Sequence, residues 1–295
     1  MELDRDIENL FGRVDLLAGI PRAQWRVTPL GSITNRVYRL EAAGHDLVLR
    51  WPGESASRYL DRAAEGGNAA AVAALGLAPP VLAADADIGW YITTFAEGAT
   101  ALTGADFADS KAFAEVAGLL TQLHCSDIRF PFQQGLFQAI DLYLDLAPTP
   151  LMTDLRRRLD PVETALARRP GPRVPCHIDP NPANFLRRRD GGLYLIDWEF
   201  AAMEESLWDL AAITLEARID TEAARPAIQP LIGEDQIPRF ELYRTALLLV
   251  AGSWAEMELA AGNPSGELKA LRDDRVQRLE QRLADPTHHA FLADA

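Results

Sequence analysis

The chain of 295 residues has little cysteine and no long apolar segment. Its two cysteines, Cys125 and Cys176, are far apart and show no metal-ligand spacing, which favours two reduced thiols in a cytoplasmic protein. No uninterrupted apolar stretch approaches the ~20 residues that a membrane-spanning helix needs. The initial segment MELDRDIENL lacks the basic region and the apolar run of a signal peptide. We therefore expect a cytoplasmic protein without a membrane partner.

The chain also lacks an excess of basic residues: its formal net charge is −14 and its pI is about 4.8. This balance argues against nucleic acid as a partner, because nucleic-acid phosphates need a basic surface. It is compatible with a positively charged small-molecule substrate. With 48% apolar and 24% charged residues, the composition is that of a globular protein, and the length allows one large domain or two lobes. The sequence leaves the oligomeric state open.

The N-terminal third has the pattern of a few strands and one helix. Alternating apolar residues and intervening turn signals predict strands at residues 25–30, 37–41, 47–51, 81–82 and 90–95. The Ala-rich segment 61–75 predicts a helix, which Gly76 would end, although Gly66 and Gly67 are poor helix formers. We interpret Ala96-Glu97-Gly98 as a boundary between two lobes, residues 1–95 and 96–295.

Helical patterns dominate beyond this boundary. Residues 111–125 carry apolar side chains at i, i+3, i+4, i+7 and i+10, and residues 240–260 repeat the pattern, as expected for helices with one buried face. Between these helices, residues 174–197 have a different texture, with short apolar strands that end in polar residues. This segment is where we expect the chemistry.

The strongest functional signal is the segment His177-Ile-Asp-Pro-Asn-Pro-Ala-Asn184. Its spacing matches H-x-D-x-x-x-x-N, the catalytic loop of kinases, in which Asp accepts the proton of the substrate hydroxyl and Asn binds a metal ion. Phosphoryl transfer needs an oriented nucleophile and cations that neutralise the transferred group. We therefore predict Asp179 as catalytic base and Asn184 as metal ligand, with His177 holding the loop by hydrogen bonds.

Asp197 follows the apolar residues 193–196, thirteen residues after Asn184. Kinases place a Mg²⁺-chelating Asp at a comparable point, so we predict Asp197 as a second metal ligand and a member of the catalytic set. The chain reads Asp-Trp-Glu here rather than Asp-Phe-Gly, which argues against a protein kinase. Asp179, Asn184 or Asp197 alone could be a turn or strand-end residue, but their joint spacing favours the functional interpretation.

Together with Leu195-Ile-Asp-Trp-Glu-Phe200 and Leu207-Trp-Asp-Leu-Ala211, this loop resembles the aminoglycoside phosphotransferase and choline kinase superfamily. The N-terminal residues Gly31-Ser-Ile-Thr-Asn35, Val48-Leu-Arg-Trp-Pro-Gly53 and Asp61-Arg62 are similar to its choline/ethanolamine kinase branch. The resemblance covers about residues 31–254. It implies an α+β, protein-kinase-like fold of two lobes: an antiparallel N-terminal sheet with one helix, and a mainly helical C-terminal lobe.

The resemblance also implies ATP and Mg²⁺ as cofactors, with ATP bound by residues 1–95 and catalysis and substrate binding in residues 96–295. The implied nucleotide-binding residues are Ser32, Thr34 and Asn35 in a turn over the phosphates, Arg50 as phosphate ligand, Glu65 as its ion-pair partner, and Thr94 and Phe95 in a hinge that contacts adenine through its backbone. A comparable Asp in the family braces the catalytic loop, which implies that role for Asp209. The sequence does not distinguish ATP from GTP, and a solvated helix position is the alternative for Glu65.

A cationic acceptor would need carboxylates and aromatic faces nearby. We predict Glu199, Trp208 and Trp254 as substrate-binding residues, and Trp254 falls where choline kinases place an aromatic residue on a C-terminal helix. A second aromatic would be expected at Ala251, and its absence weakens choline as the acceptor. A core position is the alternative for Trp254. We interpret Glu204-Glu205 as a solvated turn rather than a binding pair.

We therefore predict a kinase that moves the γ-phosphoryl group of Mg·ATP to the hydroxyl of a small amino alcohol such as choline or ethanolamine. A kinase of the same fold that acts on thiamine, an aminoglycoside or another small hydroxyl metabolite is the alternative. A non-catalytic nucleotide-binding module is a third possibility, which rests only on the single glycine of the turn at residues 31–35.

Overall fold

The computed structural model describes residues 5–32, 34–53, 59–133, 135–263 and 265–295 of the chain. Numbered in chain order, the strands are β1 (Arg26–Leu30), β2 (Asn35–Ala42), β3 (His45–Pro52), β4 (Val81–Asp85), β5 (Trp90–Thr94), β6 (Thr100–Ala101), β7 (Val174–Cys176), β8 (Phe185–Arg187), β9 (Leu193–Leu195) and β10 (Ala202–Glu204). The helices are α1 (Arg5–Arg13), α2 (Asp15–Ala18), α3 (Arg62–Ala73), α4 (Ser110–His124), α5 (Leu136–Leu146), α6 (Pro150–Arg158), α7 (Asp160–Ala167), α8 (Leu207–Glu216), α9 (Thr221–Ile232), α10 (Ile237–Ala260), α11 (Gly266–Ala284) and α12 (Pro286–Asp294).

The chain folds into two compact units. The first comprises Met1–Ala101, so far as described, together with Asn184–Ala201, and the second comprises Leu102–Ala183 and Ala202–Ala295. The segment around β8 and β9 joins the first unit because β6 pairs with β8 and β8 pairs with β9. The Leu195 N–H also donates to the Leu77 carbonyl at 2.8 Å. The division into lobes 1–95 and 96–295 stays a prediction. The two compact units have different boundaries, because residues 184–201 belong to the first of them.

The first unit is built on the antiparallel sheet β1-β2-β3-β5-β4. The five strands and the helix predicted for the N-terminal third are confirmed as β1 to β5 and α3. Alternation along β3 buries Leu47, Leu49 and Trp51 on one face of the sheet and turns Arg50 to the other. α3 covers the face of Arg50, since a Cβ on Gly66 would meet the Cβ of Tyr91 at 3.4 Å.

Helices α1 and α2 precede the sheet and were not predicted. Ile7, Leu10 and Phe11 form the buried stripe of α1 at i, i+3 and i+4. They join one hydrophobic cluster with Trp25 and the buried side chains of β3. The helical pair therefore covers the sheet face opposite to α3.

The second unit is mainly helical, as predicted. The predicted helices at residues 111–125 and 240–260 are confirmed as α4 and α10. α10 is the central element, because it packs against α5, α8 and α11. Strand β7, which precedes the predicted catalytic loop, pairs with β10. Among the described residues, no helix combines the length and the apolar character needed to cross a membrane.

Candidate active site

Asn184 and Asp197 leave the same end of the β8–β9 hairpin in the first unit. Phe185 pairs with Leu195 at that end, and the next residues are joined by a hydrogen bond of 3.0 Å from the Ile196 N–H to the Asn184 carbonyl. Asp197 has a positive φ of 74°, a backbone conformation that an L-residue adopts rarely and that often accompanies functional sites. The two predicted metal ligands therefore belong to one small structural element.

Arg50 links the sheet to this element. Its guanidinium forms ion pairs with Glu65 of α3 and with Asp197, and it lies 3.3 Å from Glu199. The predicted pairing of Arg50 with Glu65 is thus present. Burial opposes the charge of Arg50, but the carboxylates of Asp197 and Glu65 outweigh it and hold the pKa of Arg50 well above its usual value. Arg50 remains a fixed positive charge beside the predicted metal ligands.

Glu65 is 1% exposed and belongs to the same cluster. Its burial raises its pKa to about 7, with Arg50 acting against the rise and Glu199 adding to it. The hydroxyl of Tyr91 donates to Glu65 at 3.2 Å. The alternative of a solvated helix position for Glu65 is therefore wrong.

The turn between β1 and β2 carries the predicted phosphate-binding residues; Ile33 within it lies outside the described residues. The Ser32 hydroxyl accepts the Asn35 N–H at 3.2 Å. The Thr34 hydroxyl and the Asn35 amide each donate to Glu199 at 2.6 Å. The side chains of Thr34 and Asn35 are both buried. The turn is therefore held by a carboxylate that lies two residues beyond Asp197.

Arg62, the first residue of α3, completes the network and was not among the predicted site residues. Its guanidinium donates to Glu199 at 2.8 Å and to the Asn35 side-chain oxygen at 2.9 Å. Only 9% of its side chain is exposed. A buried arginine needs carboxylate partners, but its partners here are remote in sequence. The only signal in the sequence was the presence of Arg62 in a segment that resembles the choline/ethanolamine kinases.

The predicted hinge lies at the end of β5. The N–H groups of Thr94 and Phe95 donate to the carbonyls of Pro80 and Asp46, at 3.1 and 2.9 Å. Since Pro80 has no N–H, it cannot donate in return to the Thr94 carbonyl. Over the described residues, the Ala96 N–H donates to no backbone carbonyl in the turns and loops. Thr94, Phe95 and Ala96 line a cavity of about 320 Å³ at this end of β5.

Asp179 lies in the second unit, directly after Ile178, which has a positive φ of 74°. The carboxylate of Asp209 accepts the N–H groups of His177 and Ile178, both at 2.8 Å, and the His124 ring lies at 2.9 Å from it. Asp209 is fully buried. These contacts agree with the bracing role that the resemblance implied for Asp209.

The predicted substrate-binding residues are placed differently from one another. Trp208 is 1% exposed and its indole N–H donates to the Ile178 carbonyl at 2.9 Å, so that it supports the catalytic loop from within the core. Trp254 is partly exposed on α10. Their roles in substrate binding stay predictions, as does that of Glu199. The structure brings Glu199 to the turn in the first unit, whereas both tryptophans belong to the second.

The interpretation of Glu204-Glu205 as a solvated turn is wrong. Glu204 lies on β10 and is 4% exposed. Glu205 forms a two-pronged ion pair with the buried Arg239, at 2.9 and 2.7 Å. Pairing of β10 with β7 buries this segment, and a pattern of two adjacent carboxylates gave no sign of it.

The structure thus gathers Thr34, Asn35, Arg50, Glu65, Asp197 and Glu199 in one network of the first unit, with Asn184 on the same hairpin as Asp197. Asp179 belongs to the second unit, five residues along the loop from Asn184. Buried carboxylates that face guanidinium groups can hold a cation or a phosphate group in place.

A sequence model described as the phosphotransferase enzyme family matches residues 26–244. The crystal structure of a choline/ethanolamine kinase family protein from Mesorhizobium loti is similar, with a TM-score of 0.82 and 28% identity over 98% of this chain and 97% of that one. LicA of Haemophilus influenzae is 27% identical over 86% of this chain and 79% of its own. The thiamine kinase of Shigella flexneri is 30% identical over 48% of this chain and 53% of its own. These likenesses confirm the predicted resemblance and the kinase-like fold.

Proposed function

The chain belongs to the phosphotransferase enzyme family and is a small-molecule kinase, and we propose that it phosphorylates the hydroxyl of a small amino alcohol with Mg·ATP. The single observation that carries this proposal is the buried ion-pair network in which Arg50 contacts Glu65 and Asp197. It sets a permanent positive charge for phosphate beside a carboxylate suited to magnesium. Family membership leaves the alternative of a non-catalytic module without support.

ATP is supported as the nucleotide by the end of β5. Adenine offers an amino group as donor and a neighbouring ring nitrogen as acceptor. The Thr94 carbonyl and the Ala96 N–H have the complementary roles, since the Thr94 and Phe95 N–H groups already donate within the protein. Guanine presents the opposite order on that edge, so we propose ATP over GTP. The hinge contact is thereby shifted from the predicted Phe95 to Ala96.

The donor set fits Mg²⁺. Asp197 offers a carboxylate that is 23% exposed in its side chain, and Asn184 offers an amide oxygen from the same hairpin end. Such hard oxygen donors suit magnesium, which uses few protein ligands and shares the rest with phosphate and water. When bound, Mg²⁺ would neutralise phosphate charge during transfer. Arg50 then keeps Asp197 oriented and remains available to a phosphate oxygen.

We assign Asp179 the role of the base that orients the acceptor hydroxyl and takes its proton. Its backbone follows the left-handed Ile178, and Asp209 accepts the N–H groups of His177 and Ile178. A base fixed in this way loses little orientation freedom in the reaction. The acidic chain and the partly exposed Trp254 support a cationic acceptor.

The acceptor class is supported by the similar proteins. The Mesorhizobium loti protein is a member of the choline/ethanolamine kinase family, and its similarity spans nearly the whole chain. Thiamine is the second candidate, because the thiamine kinase of Shigella flexneri is 30% identical to about half of the chain and Ala251 lacks the expected aromatic ring. We propose a cytoplasmic location, which the two free cysteines, Cys125 and Cys176, support.

The test is ATP consumption with choline, ethanolamine, thiamine, aminoglycosides and simple sugars as acceptors. We expect turnover with choline or ethanolamine, and turnover with thiamine alone would select the second candidate. Asp179→Asn should lower kcat by about 10²- to 10⁴-fold with the Kd for Mg·ATP unchanged. An unchanged kcat would remove Asp179 as the base, and turnover of no hydroxyl compound would defeat the proposed function.

A further inference from the structure

Glu199 uses both of its carboxylate oxygens inside the protein. One oxygen accepts the Thr34 hydroxyl, and the other accepts the Asn35 amide and the Arg62 guanidinium, at distances between 2.6 and 2.8 Å. Arg50 lies 3.3 Å from the second oxygen. A carboxylate has acceptor sites for about four hydrogen bonds, and Glu199 is only 9% exposed. Little of its capacity is left for a substrate cation.

Arg62 fixes the same turn from the other side. It donates to the Asn35 side-chain oxygen at 2.9 Å and to the Thr34 carbonyl at 3.3 Å. The Asn35 amide group is therefore held at both ends, by Glu199 and by Arg62. The end of β3 also presses on the turn, because a Cβ on Gly53 would lie 2.0 Å from the Thr34 carbonyl oxygen. These contacts hold Thr34 and Asn35 from several directions.

We propose that Glu199 is a positioning residue for the nucleotide and not a ligand of the acceptor. It ties the turn at Thr34 and Asn35 to the segment of Asp197, so that phosphates and metal meet a turn that is already in place. This inference rests on the proposed function. It also means that the Thr34 and Asn35 side chains hold the turn and are not themselves phosphate ligands.

A turn that is held before binding costs less entropy to order when the nucleotide arrives. Removing the carboxylate should therefore weaken nucleotide binding and leave acceptor binding alone. Removal of a residue that contacts the acceptor cation would instead weaken acceptor binding and leave nucleotide binding unchanged. The nucleotide Kd and the acceptor KM of a Glu199 variant therefore distinguish the two roles.

The experiment measures the Kd for Mg·AMP-PNP by calorimetry, and the KM values for ATP and for the acceptor found in the panel above. Glu199→Ala should raise the Kd and the KM for nucleotide by about tenfold or more, with the acceptor KM changed less than about twofold. Amide hydrogen exchange at residues 34–36 should be faster in the variant without nucleotide. A raised acceptor KM with an unchanged nucleotide Kd would overturn the inference.

Two further variants guard against loss of folding. Thr34→Val removes only the hydroxyl that Glu199 accepts, and Gly53→Ala displaces the Thr34 carbonyl while the carboxylate is kept; both should weaken nucleotide binding in the same direction. Glu222→Gln on α9, whose side chain is 85% exposed, is the control for the loss of a surface carboxylate and should change neither constant. Unchanged nucleotide binding in all three site variants would defeat the inference alone. A wild-type protein that binds no nucleotide would defeat the proposed function itself.

Discussion

The Asp209 carboxylate accepts the backbone N–H of Ile178 at 2.8 Å and so holds a β-branched residue at a φ of 74°. A left-handed conformation is rare for β-branched residues and costs of the order of 1–3 kcal/mol. The same carboxylate accepts the N–H of His177, and the indole N–H of Trp208 donates to the Ile178 carbonyl. The strain is thus balanced by buried hydrogen bonds directly before Asp179.

Asp209→Asn should reduce both stability and turnover. The asparagine side chain has one acceptor oxygen for the two backbone N–H groups of His177 and Ile178, so its amino group would face one of these donors. We expect a loss of about 3 kcal/mol in the free energy of unfolding and a kcat at least tenfold lower, measured by denaturant titration and by steady-state kinetics. Asp87→Asn is the matched control, since Asp87 is exposed in the turn between β4 and β5. Equal effects of the two variants would contradict the bracing role.

The Arg50–Glu65 ion pair makes a second prediction. Arg50→Met leaves the buried Glu65 without its guanidinium and should cost about 3–5 kcal/mol of stability. Arg50→Met with Glu65→Gln removes both charges and keeps an acceptor for the Tyr91 hydroxyl, so that more than half of the loss should be recovered. Thermal unfolding measures both. Both variants should lack phosphotransfer, and a double variant no more stable than Arg50→Met would rule out the charge as the cause.

Gly66 and Gly67 of α3 provide a matched pair. A Cβ on Gly67 would meet nothing within 4 Å, whereas a Cβ on Gly66 would lie 3.3 Å from the Ala84 Cβ and 3.4 Å from the Tyr91 Cβ. Gly67→Ala should raise the free energy of unfolding by about 1 kcal/mol, because alanine favours helix. Gly66→Ala should bring no gain, as α3 would be pushed from the sheet. Equal stabilisation by both substitutions would show that the close approach at Gly66 is unimportant.

Glu204 predicts a pH dependence of stability. Burial raises its pKa from the ordinary value of 4.5 to about 7. The neutral form is therefore favoured in the folded state, and its stabilising contribution is complete below pH 4.5 and lost as the pH rises through 7. Glu204→Gln keeps an acceptor for the Glu205 N–H and removes the charge. Its stability relative to wild type should rise by about 3 kcal/mol from pH 4.5 to above pH 7.

Thermal unfolding between pH 4.5 and 8.5 measures this difference. Glu222→Gln is the control, because the Glu222 side chain is 85% exposed and its removal should leave the pH profile unchanged. A stability difference for Glu204→Gln that stays constant with pH would contradict the assignment.

Much of the fold could be predicted because its strands and helices follow from local sequence patterns. Alternation and the turn at Gly44, which has a φ of 76°, mark β2 and β3. The apolar stripe of residues 111–125 marks α4. The nine-residue α1 was missed, since its three buried positions are too few for a clear period in a charged segment.

The site was predictable where its residues keep a fixed spacing, as do Asp179, Asn184 and Asp197. Arg62 was missed because its partner Glu199 is 137 positions away, and only tertiary packing brings the two together. The same holds for Glu204, whose burial follows from the pairing of β10 with β7. Sequence patterns report the periodicity of an element and the spacing within a loop, but they contain little about long-range partners.

The first unit takes its last strands from residues 184–201, and this delays its assembly during protein synthesis. When residue 101 leaves the ribosome, β6 still lacks β8, and Arg50 and Arg62 still lack Asp197 and Glu199. About 100 further residues must be translated, which takes on the order of 5–20 s at ordinary speeds. A truncated gene that ends at residue 101 would therefore produce a sheet in which Arg50 and Arg62 lack two of their carboxylate partners, Asp197 and Glu199. A separately expressed nucleotide-binding fragment must include the hairpin.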